Sequence, residues 1–145
     1  MSELYRYAEH LLYCYPVNMM RINDTKNLLA ELSAQTDCHA QNYNRAPPTA
    51  GSHSDPVSQY HSRIDQLERT LTRLFEETAP VERVRDRLKG AHDERASDML
   101  FVMELYYFER MKLEDTALHL QKSVKTLLRR RQELTGLVVN ELSRP

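Results

Sequence analysis

The chain has 145 residues, of which 41% are hydrophobic and 28% are charged, and its formal net charge at pH 7 is −1. This length suits one average domain, or a small domain with an appendage, and the overall charge does not indicate a nucleic-acid partner. No apolar run reaches the roughly 18 residues of a membrane span, no signal peptide is evident, and two cysteines can build neither a disulfide scaffold nor a four-cysteine zinc site.

The first predicted region, residues 1–35, contains two amphipathic helices. Apolar residues recur at spacings of three and four from Leu4 to Tyr15, which is the pattern of a helix with one buried face. Pro16 should end or kink that helix, because proline removes a backbone hydrogen bond. Asp24 is a good N-cap for the second helix, whose apolar face consists of leucines.

A flexible linker is predicted for residues 36–55. The segment is rich in polar residues, includes Pro47-Pro48, and has no aliphatic side chain larger than alanine to bury. Cys38 and His39 lie within it, but they lack the paired spacing of a zinc site. We therefore expect no bound metal and no cofactor.

The third region, residues 56–92, is predicted to hold the central helices. Asp55 followed by Pro56 is a strong helix-start signal, and the stretch from Thr78 to Pro80 should break the helix. Between them, apolar residues form a seam with heptad spacing over about two repeats: Tyr60, Ile64, Leu67, Leu71 and Leu74. This heptad seam can pack on the N-terminal helices of the same chain or form a dimer, and we expect the intrachain packing.

The last region, residues 93–145, is predicted to form three helices. Asp93 should cap a largely buried helix, a short helix should cover Leu113–Leu120, and a longer one should begin at Ser123. No strand pattern is present in the sequence, and three glycines are too few for a hairpin-rich β-fold. We therefore predict an all-α fold, with N-terminal helices, a long amphipathic helix and a C-terminal helix-turn-helix.

The strongest local charge feature lies in the second helix of this helix-turn-helix. Residues 122–131 include five basic residues and no acidic one. On a helical wheel the apolar residues occupy one arc: Val124, Leu127, Leu128, Leu134 and Val138. The opposite, polar arc and the turn before it supply the candidate DNA-binding residues: Lys122, Ser123, Lys125, Thr126, Arg129 and Arg130. Such side chains contact phosphates and guanine edges in a major groove.

Arg131 is the basic residue of this stretch that falls on the apolar arc. We expect it to extend to solvent or to pair with a carboxylate of the helical bundle, rather than to touch DNA. In the preceding helix, Ala117 provides the small side chain that a crossing of two helices requires, and Leu120 is the apolar residue before the turn.

Two short segments around this turn resemble region 4 of bacterial sigma factors. The Glu-Glu-Ile-Ala pattern of that family corresponds to Glu114-Asp115-Thr116-Ala117 in this chain. Its Ser/Thr-Val-x-Thr-Val pattern corresponds to Ser123-Val124-Lys125-Thr126-Leu127. With Tyr106-Tyr107-Phe108 upstream, the layout is also similar to phage and prophage late transcription regulators of the RinA and ArpU type. The turn departs from the family pattern at Gln121, where glycine is usual, and at Lys122, where an aliphatic residue is usual.

This resemblance implies a sequence-specific DNA-binding transcription regulator, a phage late-gene activator in the cytoplasm of a bacterial host cell. Double-stranded DNA would be its partner, and RNA polymerase a second one. An antiterminator of the Q type is an alternative. A further alternative is an oligomeric helical adaptor for assembly or DNA packaging, which would use the heptad seam as a homo-oligomer contact. No catalytic motif is present in the sequence, so we do not expect an enzyme, and we expect no membrane partner.

Overall fold

Every regular element of the described chain is a helix. The computed structural model describes residues 2–45 and 56–144. In chain order its elements are α1 (Glu3–Arg45), α2 (Pro56–Gly90), α3 (Glu94–Phe101), a π-helix (Val102–Phe108), α4 (Leu113–Leu120) and α5 (Val124–Leu142). No strand occurs in these residues, so the predicted all-α class is confirmed for them.

Helices α1 and α2 are longer than predicted because each continues through an internal proline. α1 spans 43 residues and includes Pro16, and α2 spans 35 residues and includes Pro80. The predicted helix end near Pro80 and the separate helix capped by Asp24 are therefore wrong. Buried residues lie on both sides of each proline, so the packing of a continuous buried stripe outweighs the ~3 kcal/mol that an internal proline costs.

The predicted linker divides into two parts. Residues 36–45 form the last turns of α1, which corrects the first half of that prediction. They include neither glycine nor proline, so the strongest helix breakers are missing from them. Residues 46–55, with the Pro47-Pro48 pair, lie outside the described residues.

The described residues form two compact units. One comprises residues 2–18 and 76–144, and we call it the core unit. The other comprises residues 19–45 and 56–75, and we call it the hairpin unit. Helices α1 and α2 each supply residues to both units.

In the hairpin unit, the two long helices run antiparallel with apolar residues between them. On α1, buried or half-buried positions recur at 3-4-3 spacing from Ile22 to Leu32. The Lys26 ammonium lies 5.3 Å from the centre of the Phe75 ring. Leu32, which comes later in α1, lines the same groove as Leu67, which comes earlier in α2. This order of contacts is that of an antiparallel pair. The intrachain packing expected of the heptad seam is therefore confirmed in this unit.

The interior of the core unit receives side chains from every helix. Its fully buried hydrophobic side chains include Leu11, Leu12, Val81, Val84, Val102, Met103, Tyr107, Leu127, Leu134 and Val138. The Tyr13 ring meets the Tyr107 ring edge-on with centroids 4.8 Å apart, and Tyr15 stacks on Phe108 at 5.0 Å. The chain has no tryptophan, so tyrosine and phenylalanine rings are the side chains that remove the largest apolar area from water when they are buried. This interior fixes the buried side of α5.

Candidate nucleic-acid interface

Helices α4 and α5 are joined by residues 121–123, as the sequence predicts. Gln121 adopts the left-handed conformation, with φ 55° and ψ 40°, and its N–H donates to the Leu118 carbonyl at 3.2 Å. The N–H of Lys122 donates to the Ala117 carbonyl at 3.0 Å. This pair of bonds is a Schellman-type helix end, which satisfies the last carbonyls of α4 and turns the chain into α5.

Ser123 caps the start of α5, as predicted. Its Oγ accepts a hydrogen bond from the Thr126 backbone N–H at 3.1 Å and lies 2.8 Å from Thr126 Oγ1. The cap satisfies one of the amide groups that have no partner within the helix. Both residues are candidate DNA contacts, and both also organise the first turn of α5.

The apolar arc of α5 is buried only in part. Its fully buried members are Leu127, Leu134 and Val138. Val124 and Leu128, which the helical wheel places on the same arc, are 37% and 41% exposed. Their expected burial is wrong, because the side of the helix that carries them is open to solvent in its first two turns. The same side is buried later in the helix, at Thr135.

Lys125 and Arg129 form what we call the exposed basic face of α5. They are four residues apart, so they lie one above the other on the same side of the helix. Both side chains are exposed, and neither forms a hydrogen bond or an ion pair with any described residue. The charge of Arg129 contributes, after Arg95 and Arg130, to the lowered pKa of Glu133 one turn later. Both cations nevertheless face solvent just after the turn, with no hydrogen bond or ion pair to the part of the chain that the structure describes.

The other two predicted cations of the polar arc face α3. Lys122 donates a hydrogen bond to the Glu94 carboxylate, and its Nζ lies 3.7 Å from Asp98 Oδ2. Arg130 Nε lies 3.7 Å from the same Asp98 oxygen. The hydrogen bond from Lys122 holds the pKa of Glu94 below its ordinary value, and the same bond raises the pKa of Lys122. The polar arc is thus divided between one edge that is paired with α3 and one edge that is open.

A second ion pair extends the contact between α3 and α5. The Arg95 guanidinium donates to both oxygens of Glu133, with the Nε bond at 2.7 Å. Arg130 also donates to Glu133, at 3.3 Å. Bidentate pairing fixes the relative position of the two side chains, and the hydrogen bonds from Arg95 hold the pKa of Glu133 below its ordinary value.

Arg131 is tied into the core unit, so of its two predicted outcomes, extension to solvent or pairing with a carboxylate, the structure shows the pairing. Its guanidinium donates to Glu9 at 2.8 Å and 3.1 Å and to the Tyr107 hydroxyl at 3.3 Å, and it lies 5.1 Å from the centre of the Tyr106 ring. Burial acts against its charged form, but the hydrogen bonds to Glu9 and Tyr107 outweigh burial, and the pKa of Arg131 is raised. Arg131 therefore connects α5 to α1 and to the π-helix.

The sequence reasoning missed the acidic side chains of α3 that face α5. Glu94 and Asp98 are four residues apart on one helix face, a spacing that is visible in the sequence. Glu94 and its partner Lys122 are 28 residues apart in the chain. Only the packing of α3 against α5 brings these groups together.

Comparisons of the chain with protein-family models, with curated proteins and with solved structures find no match. Among the described residues, no helix carries an apolar stretch long enough to cross a lipid bilayer. The geometry and charge of α3, α4 and α5 define the candidate interface.

Proposed function

We propose that this chain is a sequence-specific, duplex-DNA-binding transcription regulator. In this proposal α4, the turn at 121–123 and α5 form a helix-turn-helix, and α5 is the helix that enters the major groove. The observation that carries the proposal is the exposed basic face: Lys125 and Arg129 lie one turn apart at the start of α5, and neither forms a hydrogen bond or an ion pair with a described residue.

An unpaired surface cation can bind DNA without first breaking a contact within the protein. Lysine supplies a point charge for phosphate, and arginine supplies a planar pair of donors that matches the O6 and N7 atoms of guanine. The N-terminal turns of a recognition helix are the ones that reach base edges. The positions of Lys125 and Arg129 in these turns favour insertion of α5 by its N-terminal end.

Rigid support for the exposed basic face comes from the rest of α5. Leu127 and Leu134 are fully buried, Ser123 caps the first turn, and Arg131 is bound to Glu9. A helix that is already fixed loses little conformational freedom on binding, so more of the contact energy contributes to affinity.

The remaining predicted contacts take different parts in this proposal. Ser123 and Thr126 present hydroxyl groups at the helix start. Lys122 and Arg130 contact the DNA backbone at the edge next to α3. Arg131 makes no contact with DNA, because its donors are used by Glu9 and Tyr107.

The resemblance to region 4 of sigma factors refines the proposal. Residues 114–117 and 123–127 favour promoter-like DNA as the target and RNA polymerase as a second partner. The wider layout favours a phage late-gene activator acting in the cytoplasm of a bacterial host cell. An antiterminator of the Q type is the alternative that would use the same module.

The test selects duplexes that the full-length chain binds from a random pool and measures their affinity by fluorescence anisotropy at several salt concentrations. Lys125→Ala and Arg129→Ala are each expected to weaken binding by about 1–3 kcal/mol, the range for a base-edge contact. Helical content and melting temperature should stay at wild-type values, because both side chains are exposed.

Lys89→Ala and Arg69→Ala, at exposed positions of α2, are matched controls and should leave the affinity unchanged. No salt-dependent binding to any duplex would contradict the proposal. If the chain instead assembles into a stable oligomer without binding DNA, the helical adaptor is the better description. An unfolded Lys125→Ala or Arg129→Ala variant would show that this face is not the exposed one.

A further inference from the structure

Lys122 is held by two carboxylates of α3 that differ in their freedom to move. The Glu94 side chain forms a hydrogen-bonded ion pair with Lys122 and is 77% exposed, whereas Asp98 lies 3.7 Å away and is 8% exposed. Asp98 also lies 3.7 Å from Arg130, so it stands between two cations. Glu94 can leave Lys122 by rotating into solvent, and Asp98 has no such route.

We propose that Glu94 competes with DNA phosphate for Lys122 and thereby limits the affinity of the chain for DNA. This inference rests on the proposed function, because it requires DNA to approach the start of α5. Lys122 lies in the turn before α5, three residues before Lys125, so a duplex that contacts Lys125 also comes close to Lys122.

A carboxylate and a phosphate require the same donor. The Lys122 ammonium can serve either anion, because it offers N–H donors and no acceptor. When phosphate takes Lys122, Glu94 loses its partner and its negative charge stays beside the negatively charged backbone of DNA. Both consequences oppose binding. Glu94 is charged near neutral pH, as the competition requires, and the hydrogen bond from Lys122 lowers its pKa further below that range.

Glu94→Gln tests the proposal, because glutamine keeps the shape of the side chain and removes its charge. The full-length variant should bind the selected duplex about twofold to fivefold more tightly at low salt, the effect expected of one exposed ion pair. The slope of log K against log salt concentration should steepen by up to about 0.9, which is the effect of one additional phosphate contact. In the variant, Lys122 can form that contact without giving up an ion pair with Glu94. Its melting temperature should stay close to that of the wild type.

Two further variants isolate the role of Lys122. In a Lys122→Ala background, Glu94→Gln should bring a clearly smaller gain in affinity, because the cation for which both anions compete is missing and only the repulsion between Glu94 and DNA is relieved. Glu68→Gln makes the same change in net charge at an exposed position of the hairpin unit and should leave the affinity unchanged.

The outcomes separate this proposal from the proposed function. An equal gain from Glu94→Gln with and without Lys122, or an equal gain from Glu68→Gln, would overturn the competition. So would an unchanged affinity of Glu94→Gln in a chain that binds DNA, and the proposed function would then remain. If the wild-type chain binds no duplex at all, both proposals fail.

Discussion

Gln121 adopts a backbone conformation that is unfavourable for a residue with a side chain. Its φ of 55° lies in the left-handed region, where the Cβ of an L-residue crowds the carbonyl that follows at a cost of roughly 1–2 kcal/mol. The hydrogen bonds that Gln121 and Lys122 make to the end of α4 keep it there. Glycine has no Cβ, which is the physical reason that a turn of this kind favours glycine.

Gln121→Gly should stabilise the chain by about 0.5–1 kcal/mol, because glycine adopts the left-handed conformation without this strain. Urea denaturation followed by circular dichroism measures the free energy of unfolding. The same substitution at Gln132, an exposed position inside α5, should lower that free energy by about 1 kcal/mol. A Gln121→Gly chain no more stable than the wild type would mean that the turn is unstrained.

At the scale of the element, α5 is fixed at its start, at its middle and near its end. Its first turn is capped, and its middle is bound through Arg131 to Glu9 of α1 at 2.8 Å. Near its end, the buried Glu141 carboxylate accepts hydrogen bonds from Arg83 at 3.1 Å and from Arg87 at 2.5 Å, both on α2. Contacts to α1, α2, α3 and the π-helix therefore fix which side of α5 is exposed.

Ala117 is the small residue of α4 in this arrangement, and it is buried with the core residues of α5. Ala117→Leu should lower the free energy of unfolding by about 1–3 kcal/mol, because the larger side chain overpacks a closed site. Thermal denaturation without DNA measures the loss. Ala34→Leu, at an exposed position of α1, is the matched control and should change the melting temperature little. Wild-type stability of Ala117→Leu would show that α4 does not pack closely at this residue.

At the scale of the whole molecule, the hairpin unit depends on a thin layer of side chains. Among its described hydrophobic residues only Ile22, Leu32 and Leu74 are buried, and most of the heptad seam is half-buried. A layer of this kind has few other contacts to compensate for a lost one. One charged residue in the layer should therefore affect the entire unit.

Leu67→Glu should lower the free energy of unfolding by roughly 2 kcal/mol, through lost apolar burial and an unpaired charge between the helices. Helical content and melting temperature, followed by circular dichroism, should both fall. Leu118→Glu makes the same change at a position that is 78% exposed and should leave both unchanged. A Leu67→Glu variant that is a well-folded monomer at the wild-type melting temperature would identify the heptad seam as an exposed dimer surface.

The sequence by itself determined the local elements of the C-terminal region. Asp93 and Ser123 each accept a hydrogen bond from the amide three residues later, so these helix starts depend on neighbouring residues alone. For Arg131 the sequence predicted either extension to solvent or pairing with a carboxylate, because a charge on an apolar arc is unfavourable without water or a partner. The identity of that partner, Glu9, could not be predicted, since it lies on another element.

The tertiary structure alone decided how far the long helices continue. An internal proline is unfavourable for the local backbone, so Pro16 and Pro80 both indicate a helix end when only their neighbours are considered. Each helix nevertheless buries side chains before and after its proline. Breaking the helix would separate these buried side chains, and that loss is larger than the local penalty.

The tertiary structure also decided which predicted DNA-binding residues have a protein partner. Four of these residues are cations that share one arc of a helical wheel: Lys122, Lys125, Arg129 and Arg130. Helix α3 packs beside one edge of that arc, so Lys122 and Arg130 have its carboxylates within 4 Å, whereas Lys125 and Arg129 form no ion pair with a described residue. The reason is that the energy of a charge pair depends on the distance between the groups in space, and the position of a residue in the sequence does not reveal that distance.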